Sequence, residues 1–207
     1  MAVAENNQAD ISALTREDAS ERFKSMGFET KHISGNQNCF VVSALIQLGM
    51  EISSHAIQEL RLRVVRHVRA NKNFAKQIKS FFFVSKTDFQ TYLDHFETGL
   101  EWFCEATVLA FARAYHVDCV VLELSPTGNK PDTATIFSCQ GDRSREIQKL
   151  IFTRVTDQNR GKSHFEIARL VPTVTTTLSA ALDHFDKVYI DSNVFGQVAR
   201  YQFVMLE

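Results

Sequence analysis

The chain has 207 residues, of which 44% are hydrophobic and 23% are charged, a composition typical of globular proteins. This length predicts a single domain, with room for an appendage. The 23 basic and 24 acidic residues give a formal net charge of −1. We therefore expect no nucleic-acid partner, because dedicated nucleic-acid binders usually carry a strong basic excess.

The start of the chain and its cysteines bear on the cellular compartment. Residues 1–10 lack the apolar core and the basic leader of a secretory signal, and no stretch approaches the roughly 18 apolar residues of a membrane span. The four cysteines are far apart and include no Cys-x-x-Cys pair, so zinc-finger spacing is absent. We expect free thiols in a reducing, cytoplasmic setting without a membrane partner, three of them buried and one available for chemistry.

Helical patterns fill the first half of the chain. The predicted helices cover residues 16–26 (capped by Thr15), 39–48, 57–72, 73–83, 87–97 and 102–115. Residues 39–48 are apolar on nearly every side, so periodicity alone leaves a buried strand open. A length near ten, an asparagine just upstream and Gly49 as a stop favour a helix there.

Two features of these helices have more than one interpretation. The helix over residues 57–72 has an apolar face and a basic face, the latter formed by Arg61, Arg63, Arg66, Arg69 and Lys72. A solvated face is favoured over a patch for an acidic partner, because the overall charge is balanced. The aromatic run Phe81–Phe83 is predicted to be core, with the floor of a groove as the alternative.

Short β-like runs follow the helices, over residues 119–124, 133–139, 149–155 and 164–170. Helices first and strands later predict an α+β fold in which a helical N-terminal part packs on a largely antiparallel sheet. We divide the chain into a frayed N-terminus (1–14), a main domain (15–171) and a C-terminal extension of undetermined role (172–207). Within the extension, residues 178–185 are compatible with a helix and residues 187–190 with a strand.

Cys39 is the first candidate for chemistry. It follows a polar, glycine-containing loop and starts a predicted buried helix. The helix N-terminus favours an anion, and the thiolate is the reactive form of cysteine. Unpaired backbone N–H groups at the same helix start could also face an oxyanion. The alternative is a core cysteine, since free cysteine is among the most buried residue types.

His164 is the second candidate, because it opens an alternating strand after the polar loop 159–163. Side chains alternate along a strand, so His164 and Glu166 share one face, while Phe165 and Ile167 share the other. We expect the aromatic and aliphatic pair in the core and the histidine and carboxylate facing outward together. The carboxylate would orient the ring and favour the imidazolium.

Three blocks in this order resemble the ovarian tumour (OTU) class of deubiquitinating cysteine proteases. The first, Gly35-Asn-Gln-Asn-Cys-Phe40, is similar to the family's Asp-Gly-Asn-Cys block. The second comprises Tyr92-Leu93, then Trp102 through Ala112 and the strand at Val117–Leu122, and is similar to the family's Trp-Gly helix and following strand. The third, Ser163–Leu170, is similar to its His-aromatic-Asp/Asn strand. The resemblance covers about residues 15–171.

The resemblance implies a papain-like OTU fold and a set of site residues. The implied catalytic residues are Cys39, His164 and Glu166, the implied oxyanion loop comprises Asn36, Gln37 and Asn38, and the implied substrate-binding residues are Trp102, Phe103, Ser163 and Phe165. The chain departs from the family at Asn36 in place of Asp, at Glu166 in place of Asp or Asn, and at Phe103 in place of Gly. The third catalytic member therefore stays open between Glu166 and Asn36.

The resemblance also implies an activity, which is hydrolysis of isopeptide bonds at the C-terminus of ubiquitin by a monomer that needs no metal or other cofactor. Ubiquitin or a polyubiquitin chain is the implied partner. The weak match at the motif residues favours a pathogen protein acting in the host cytosol. Three alternatives remain, namely a catalytically weak ubiquitin-binding module, a protease for another ubiquitin-like modifier, and an α+β protein with an incidental cysteine.

Overall fold

A computed structural model describes residues 15–34, 37–79, 88–125, 131–139, 147–157, 162–171 and 177–190. The predictions for residues 1–14, for Asn36 and for Phe81–Phe83 lie outside these ranges. The described helices are α1 (Arg16–Ser25), α2 (Cys39–Gln47), α3 (Ser54–Ala70), α4 (Lys72–Lys79), α5 (Phe89–Glu97), α6 (Glu105–Tyr115) and α7 (Leu178–Ala181). The strands are β1 (Phe28–Lys31), β2 (Asp118–Glu123), β3 (Thr133–Phe137), β4 (Lys149–Asp157), β5 (Lys162–Leu170) and β6 (Asp186–Ile190).

The six described strands form one sheet in the order β1-β5-β4-β2-β3-β6. Three neighbouring pairs are antiparallel, β1 with β5, β5 with β4 and β2 with β3. The other two pairs, β2 with β4 and β3 with β6, are parallel. The predicted α+β class is confirmed, with a mixed sheet in which antiparallel pairs predominate.

Apolar layers cover both faces of the sheet. The larger layer packs helices α2 to α6 against one face, and the smaller layer packs α1 and α7 against the other. Alternation along β2 serves both layers, since Val121 points into the larger cluster and Val120 into the smaller one. The same alternation on β5 sends Phe165 and Ile167 into the larger layer. The predicted core position of these two residues is confirmed.

Most helix boundaries follow from the capping residues. The hydroxyl of Thr15 accepts a hydrogen bond from the Asp18 N–H at 3.1 Å, which caps α1 as predicted. Helix α2 is followed by Gly49, whose φ of +70° is the left-handed conformation that favours glycine at a helix end. Helix α6 begins at Glu105, three residues later than Trp102, where the prediction placed its start.

The described part of the C-terminal segment joins the fold directly. Helix α7 continues as a 3₁₀ turn to His184, and β6 then pairs in parallel with β3 from Thr133 to Phe137. Leu182 and Phe185 pack into the smaller apolar layer. The helix and the strand expected in this segment are both present. Among the described residues, every helix is too short or too polar to cross a membrane.

Candidate active site

Helix α2 carries Cys39 on its first turn and docks that turn against β5. Cys39 and Ser43 are four residues apart, so both lie on the same face of the helix. The Cys39 Sγ accepts a hydrogen bond from the Phe165 N–H at 3.4 Å, and the Ser43 hydroxyl donates to the Phe165 carbonyl at 3.5 Å. Helix α2 thus holds both the N–H and the carbonyl of Phe165. These contacts place the thiol beside His164.

His164 is half-buried at this junction, and its ring lies between the thiol and a carboxylate. Interaction with the Cys39 thiol, the largest cause, and with Glu166 raises the pKa of His164 to about 9, against the opposing effect of burial. The ring is therefore an imidazolium at neutral pH.

The contacts of the His164 ring are longer than ordinary hydrogen bonds. Its Nε2 lies 3.4 Å from the Glu166 Oε1, and neither ring nitrogen has a well-aligned partner among the described residues. Catalytic hydrogen bonds in unliganded enzymes are often long or poorly aligned and tighten only when substrate binds. The arrangement therefore fits a resting catalytic pair.

Glu166 is buried, with 8% of its side chain exposed, so the expectation that it faces outward is wrong. Its strand face is covered by α1 and by the chain that follows β1. The His32 Nδ1 lies 2.7 Å from Glu166 Oε1, and an Arg16 guanidinium nitrogen lies 3.4 Å from the same oxygen. Burial acts to raise the pKa of Glu166, but interaction with His164 and His32 and the charge of Arg16 outweigh it and lower that pKa. Glu166 is therefore a carboxylate.

His32 and Arg16 are the contacts of Glu166 that the sequence analysis missed. The sequence around His32 does not mark it as a site residue, because it neither starts a predicted strand nor precedes an acid by two residues. The feature that could have identified it is its position seven residues before Cys39, in the same connecting segment. That connection leaves β1, which pairs with β5 in the register Lys31 with Ile167, so His32 emerges beside Glu166.

Arg61 holds the segment that precedes Cys39 through several hydrogen bonds. Its guanidinium donates to the Gln37 carbonyl at 2.7 Å and to Asn38 Oδ1 at 3.0 and 3.2 Å. It also donates to the carbonyls of Phe96 at 2.9 Å and Glu101 at 3.0 Å. One side chain thus ties the two residues before Cys39 to the end of α5 and to the loop that follows it.

The predicted solvent exposure of Arg61 is wrong, because its side chain is fully buried. The residue lies three, four and seven positions before Val64, Val65 and Val68, and so belongs to the apolar face of α3. Burial lowers the pKa of Arg61 to about 10, opposed by the nearby Tyr92 and Cys39, and it stays a cation at neutral pH. Arg66 and Arg69, by contrast, are exposed as expected.

The N-cap of α2 differs from its predicted role. Asn38 occupies the cap position, but its side chain makes no capping hydrogen bond and is held by Arg61 instead. Side-chain capping would satisfy one of the free N–H groups that begin every α-helix. The Asn38 side chain therefore does not fill that function at the turn that carries the thiol. Gln37 points its amide toward the Leu100 carbonyl, at 3.3 Å.

The residues expected to bind substrate lie in different settings. Phe103 and Phe165 are buried, and their rings pack at 4.2 and 5.2 Å from the ring of Phe40. Both side chains therefore belong to the core, and their contact with substrate stays a prediction. Trp102 is partly buried against the same cluster. Ser163 lies on β5 opposite Thr156, and its side chain is outside the described set.

The other three cysteines are in settings that suppress reactivity. Burial raises the pKa of the Cys104 thiol and raises that of Cys119 strongly. Burial, with the charge of Asp118, raises the pKa of Cys139 to about 11. All four cysteines are free thiols, as expected. Cys39 is thus the thiol set at a helix start beside an imidazolium.

The thiol is also covered, because Cys39 is only 1% exposed. Both ring nitrogens of His164 are buried as well. A carbonyl carbon can reach the sulfur only after neighbouring groups move aside. Any reaction at the Cys39 sulfur therefore requires the structure to open around it.

The Glu166–His164 interaction leads to a prediction on the titration of the histidine. Glu166→Gln removes the anion that helps to hold the imidazolium, so the pKa of His164 should fall below the wild-type value of about 9. Histidine ring NMR titration measures this directly. Because the folded-state pKa is raised, His164 stabilises the fold fully below the unfolded value near 6.5, and this contribution is lost as the pH rises through about 9.

Asp183→Asn is the matched control for that titration. It neutralises an exposed carboxylate that lies 2.5 Å from the Lys187 ammonium group. Both residues belong to the C-terminal segment and not to the candidate site. The His164 titration should be unchanged in this variant. An unchanged His164 titration in Glu166→Gln would mean that the carboxylate does not act on the ring.

Comparison with solved structures identifies the fold, whereas comparison with sequences does not. No protein-family model and no curated protein sequence match this chain. The OTU domain of human OTUD1 matches with a TM-score of 0.54 at 14% identity, over 74% of this chain and 93% of that one. The viral OTU domain protease from Dera Ghazi Khan virus matches with a TM-score of 0.50 at 16% identity, over 70% and 82%. This chain therefore has the fold of an OTU domain.

Proposed function

We propose that this protein is a cysteine-type deubiquitinase, which hydrolyses isopeptide bonds at the C-terminus of ubiquitin. The proposal depends on one observation, the proximity of Cys39, on the first turn of α2, to His164 and Glu166 on β5. The OTU fold, the viral relative described as a protease and the three sequence blocks support the same activity. Of the two candidates for the third member, Glu166 is favoured because its carboxylate lies 3.4 Å from the ring.

The first chemical step forms a thioester. The Cys39 thiolate attacks the carbonyl carbon of the terminal glycine of ubiquitin, and the carbonyl oxygen becomes an oxyanion. The His164 imidazolium then gives its proton to the leaving lysine amine as the C–N bond breaks. Glu166 keeps the ring charged and oriented through this step.

The second step releases ubiquitin. Neutral His164 takes a proton from water, the resulting hydroxide attacks the thioester, and the C–S bond breaks to restore the Cys39 thiolate and the imidazolium. Backbone N–H groups at the start of α2 stabilise the oxyanion in both steps. Arg61 holds Gln37 and Asn38 and so keeps this turn in place. Oxyanion donors act best when they are already oriented before the reaction.

The alternative is a ubiquitin-binding module with little or no catalysis. The nearly complete burial of the Cys39 thiol and the longer Glu166 in place of the family's Asp or Asn favour it. A protease for another ubiquitin-like modifier shares the chemistry proposed here and differs only in the protein recognised.

A ubiquitin probe with a C-terminal electrophile tests the proposal. The wild-type protein should form a covalent adduct, and Cys39→Ala should form none. Cys104→Ala is the matched control and should keep full labelling, because that thiol lies outside the proposed chemistry and burial keeps it protonated. Parallel probes built on other ubiquitin-like modifiers should react far more slowly.

Each outcome of the probe assay has a distinct meaning. Binding of ubiquitin without labelling or chain cleavage would support the weakly catalytic module instead. Faster labelling by a probe built on another modifier would identify that modifier as the substrate and leave the proposed mechanism unchanged. Adducts that persist in Cys39→Ala would show that the thiol is not the nucleophile.

A further inference from the structure

The Glu166 carboxylate lies near two histidine rings, whereas the proposed thiol chemistry uses only one of them. His32, His164 and Glu166 each offer one ligand atom, and these three atoms lie within 4.8 Å of one another. The shortest separation, 2.7 Å, joins His32 Nδ1 to Glu166 Oε1, and 3.4 Å separates His164 Nε2 from the same oxygen. Two imidazoles and one carboxylate form one of the donor sets that bind Zn²⁺ in proteins.

We infer that His32, Glu166 and His164 form a binding site for a zinc-like divalent cation, and that occupancy of this site blocks the catalytic histidine. Zn²⁺ binds nitrogen and oxygen at about 2.0–2.2 Å in a tetrahedron, which places its ligand atoms roughly 3.3–3.6 Å apart. The separation of 3.4 Å between His164 Nε2 and Glu166 Oε1 falls in that range, the 2.7 Å between His32 Nδ1 and the same oxygen is shorter, and all three atoms lie within 4.8 Å of one another. Closing the site therefore needs small side-chain shifts, with water completing the coordination.

The site is reachable from solvent on one side. The His32 side chain is 48% exposed, whereas His164 and Glu166 are 18% and 8% exposed. His32 lies outside any described helix or strand. An Arg16 guanidinium nitrogen lies 3.4 Å from the Glu166 carboxylate and another lies 3.4 Å from His32 Nε2, so Arg16 opposes a cation at this site. Its side chain is 58% exposed, and ion binding requires the guanidinium to turn toward solvent.

The ion would inhibit by occupying His164 Nε2. An imidazole bound to the metal through this nitrogen cannot be the imidazolium that pairs with the Cys39 thiolate and then protonates the leaving amine. The carboxylate, bound to the same ion, is also withdrawn from its orienting role. The inhibition rests on the proposed function, whereas the binding does not.

Isothermal titration calorimetry with Zn²⁺ alone, on the full chain with a non-chelating reductant, tests the binding. The wild-type protein should bind one ion at this site, and His32→Ala should bind it at least about tenfold more weakly. His184→Ala, which removes an exposed histidine at the other end of the chain, should bind as the wild type does. Cys39→Ser should also keep the affinity, because the proposed ligands do not include the thiol.

Histidine ring NMR covers the case in which a variant folds poorly. Zn²⁺ should shift the His32 and His164 ring signals of the wild-type protein and leave those of His55 and His184 unchanged. Equal affinity in His32→Ala, loss of binding in Cys39→Ser, or shifts confined to other histidines would each overturn the site.

Labelling by the ubiquitin electrophile separates the site from the function. Stoichiometric Zn²⁺ should slow adduct formation at least about tenfold in the wild-type protein and much less in His32→Ala, as follows from the loss of affinity. Zinc binding in a protein that never labels would uphold the metal site and remove the proposed activity. Labelling that zinc leaves unchanged, despite binding, would overturn the inhibition.

Discussion

His164→Ala is expected to lower kcat/KM for cleavage of a ubiquitin C-terminal amide by about 10²–10⁴, the usual contribution of a positioned acid–base group. The histidine holds the proton that the leaving amine needs, and its interaction with Cys39 is the main cause of its raised pKa, about 9. KM should change little, because His164 acts on the reacting atoms. Initial rates with a fluorogenic ubiquitin amide measure the effect.

The pH profile distinguishes this role from a structural one. Wild-type kcat/KM should fall at alkaline pH as His164 loses its proton, with an apparent pKa near 9, and that limb should vanish in His164→Ala. His55→Ala, an exposed histidine at the start of α3, is the control and should match the wild type. A His164→Ala rate within threefold of the wild type would contradict the assignment.

Arg61→Ala is expected to lower the free energy of unfolding by about 3–5 kcal/mol, because it removes several hydrogen bonds from a charged donor, each worth about 1.5–3 kcal/mol. The substitution removes this donor from the carbonyls of Gln37, Phe96 and Glu101 and from the side-chain oxygen of Asn38. Of these acceptors, the Phe96 carbonyl keeps a hydrogen bond from the Gly99 N–H at 3.2 Å. Each unsatisfied buried polar group costs about 1–3 kcal/mol, and water entering the space recovers part of the sum. Urea denaturation followed by circular dichroism measures the loss.

Two further variants on α3 sharpen that test. Arg66→Ala removes an arginine whose side chain is 68% exposed, and its effect should stay within about 0.5 kcal/mol. Arg61→Lys keeps the charge but cannot reach acceptors on several sides at once, so its stability should lie between those of Arg61→Ala and the wild type. Equal unfolding midpoints for Arg61→Ala and Arg66→Ala would show that the buried network contributes nothing.

Local pattern was enough to predict most of the fold. The helices around Phe23, Val64 and Leu109 and the strands around Val121 and Phe152 match, since burial imposes a period that their sequences display. Strand β1 was missed because four residues are too few to show alternation. Its pairing with β5 depends on contacts more than a hundred positions away, which local pattern does not encode.

The candidate site divides in the same way. Cys39 and His164 were identifiable because each starts an element after a polar loop, and the resemblance joined them. The burial of Glu166 was not predictable, since it results from His32 and Arg16 on elements distant in sequence. Arg61 is different, because its spacing to Val64 and Val68 was visible and was outweighed by the expectation that arginine is solvated.

The parallel pairing of β6 with β3 bears on how the protein can be shortened for study. A chain cut after residue 171 would leave the β3 backbone from Thr133 to Phe137 without its neighbour and would uncover the apolar surface beneath Phe185. Unprotected strand edges recruit other molecules into intermolecular sheets. Fragments trimmed to the three motif blocks would therefore self-associate, and an inactive fragment would report aggregation instead of chemistry.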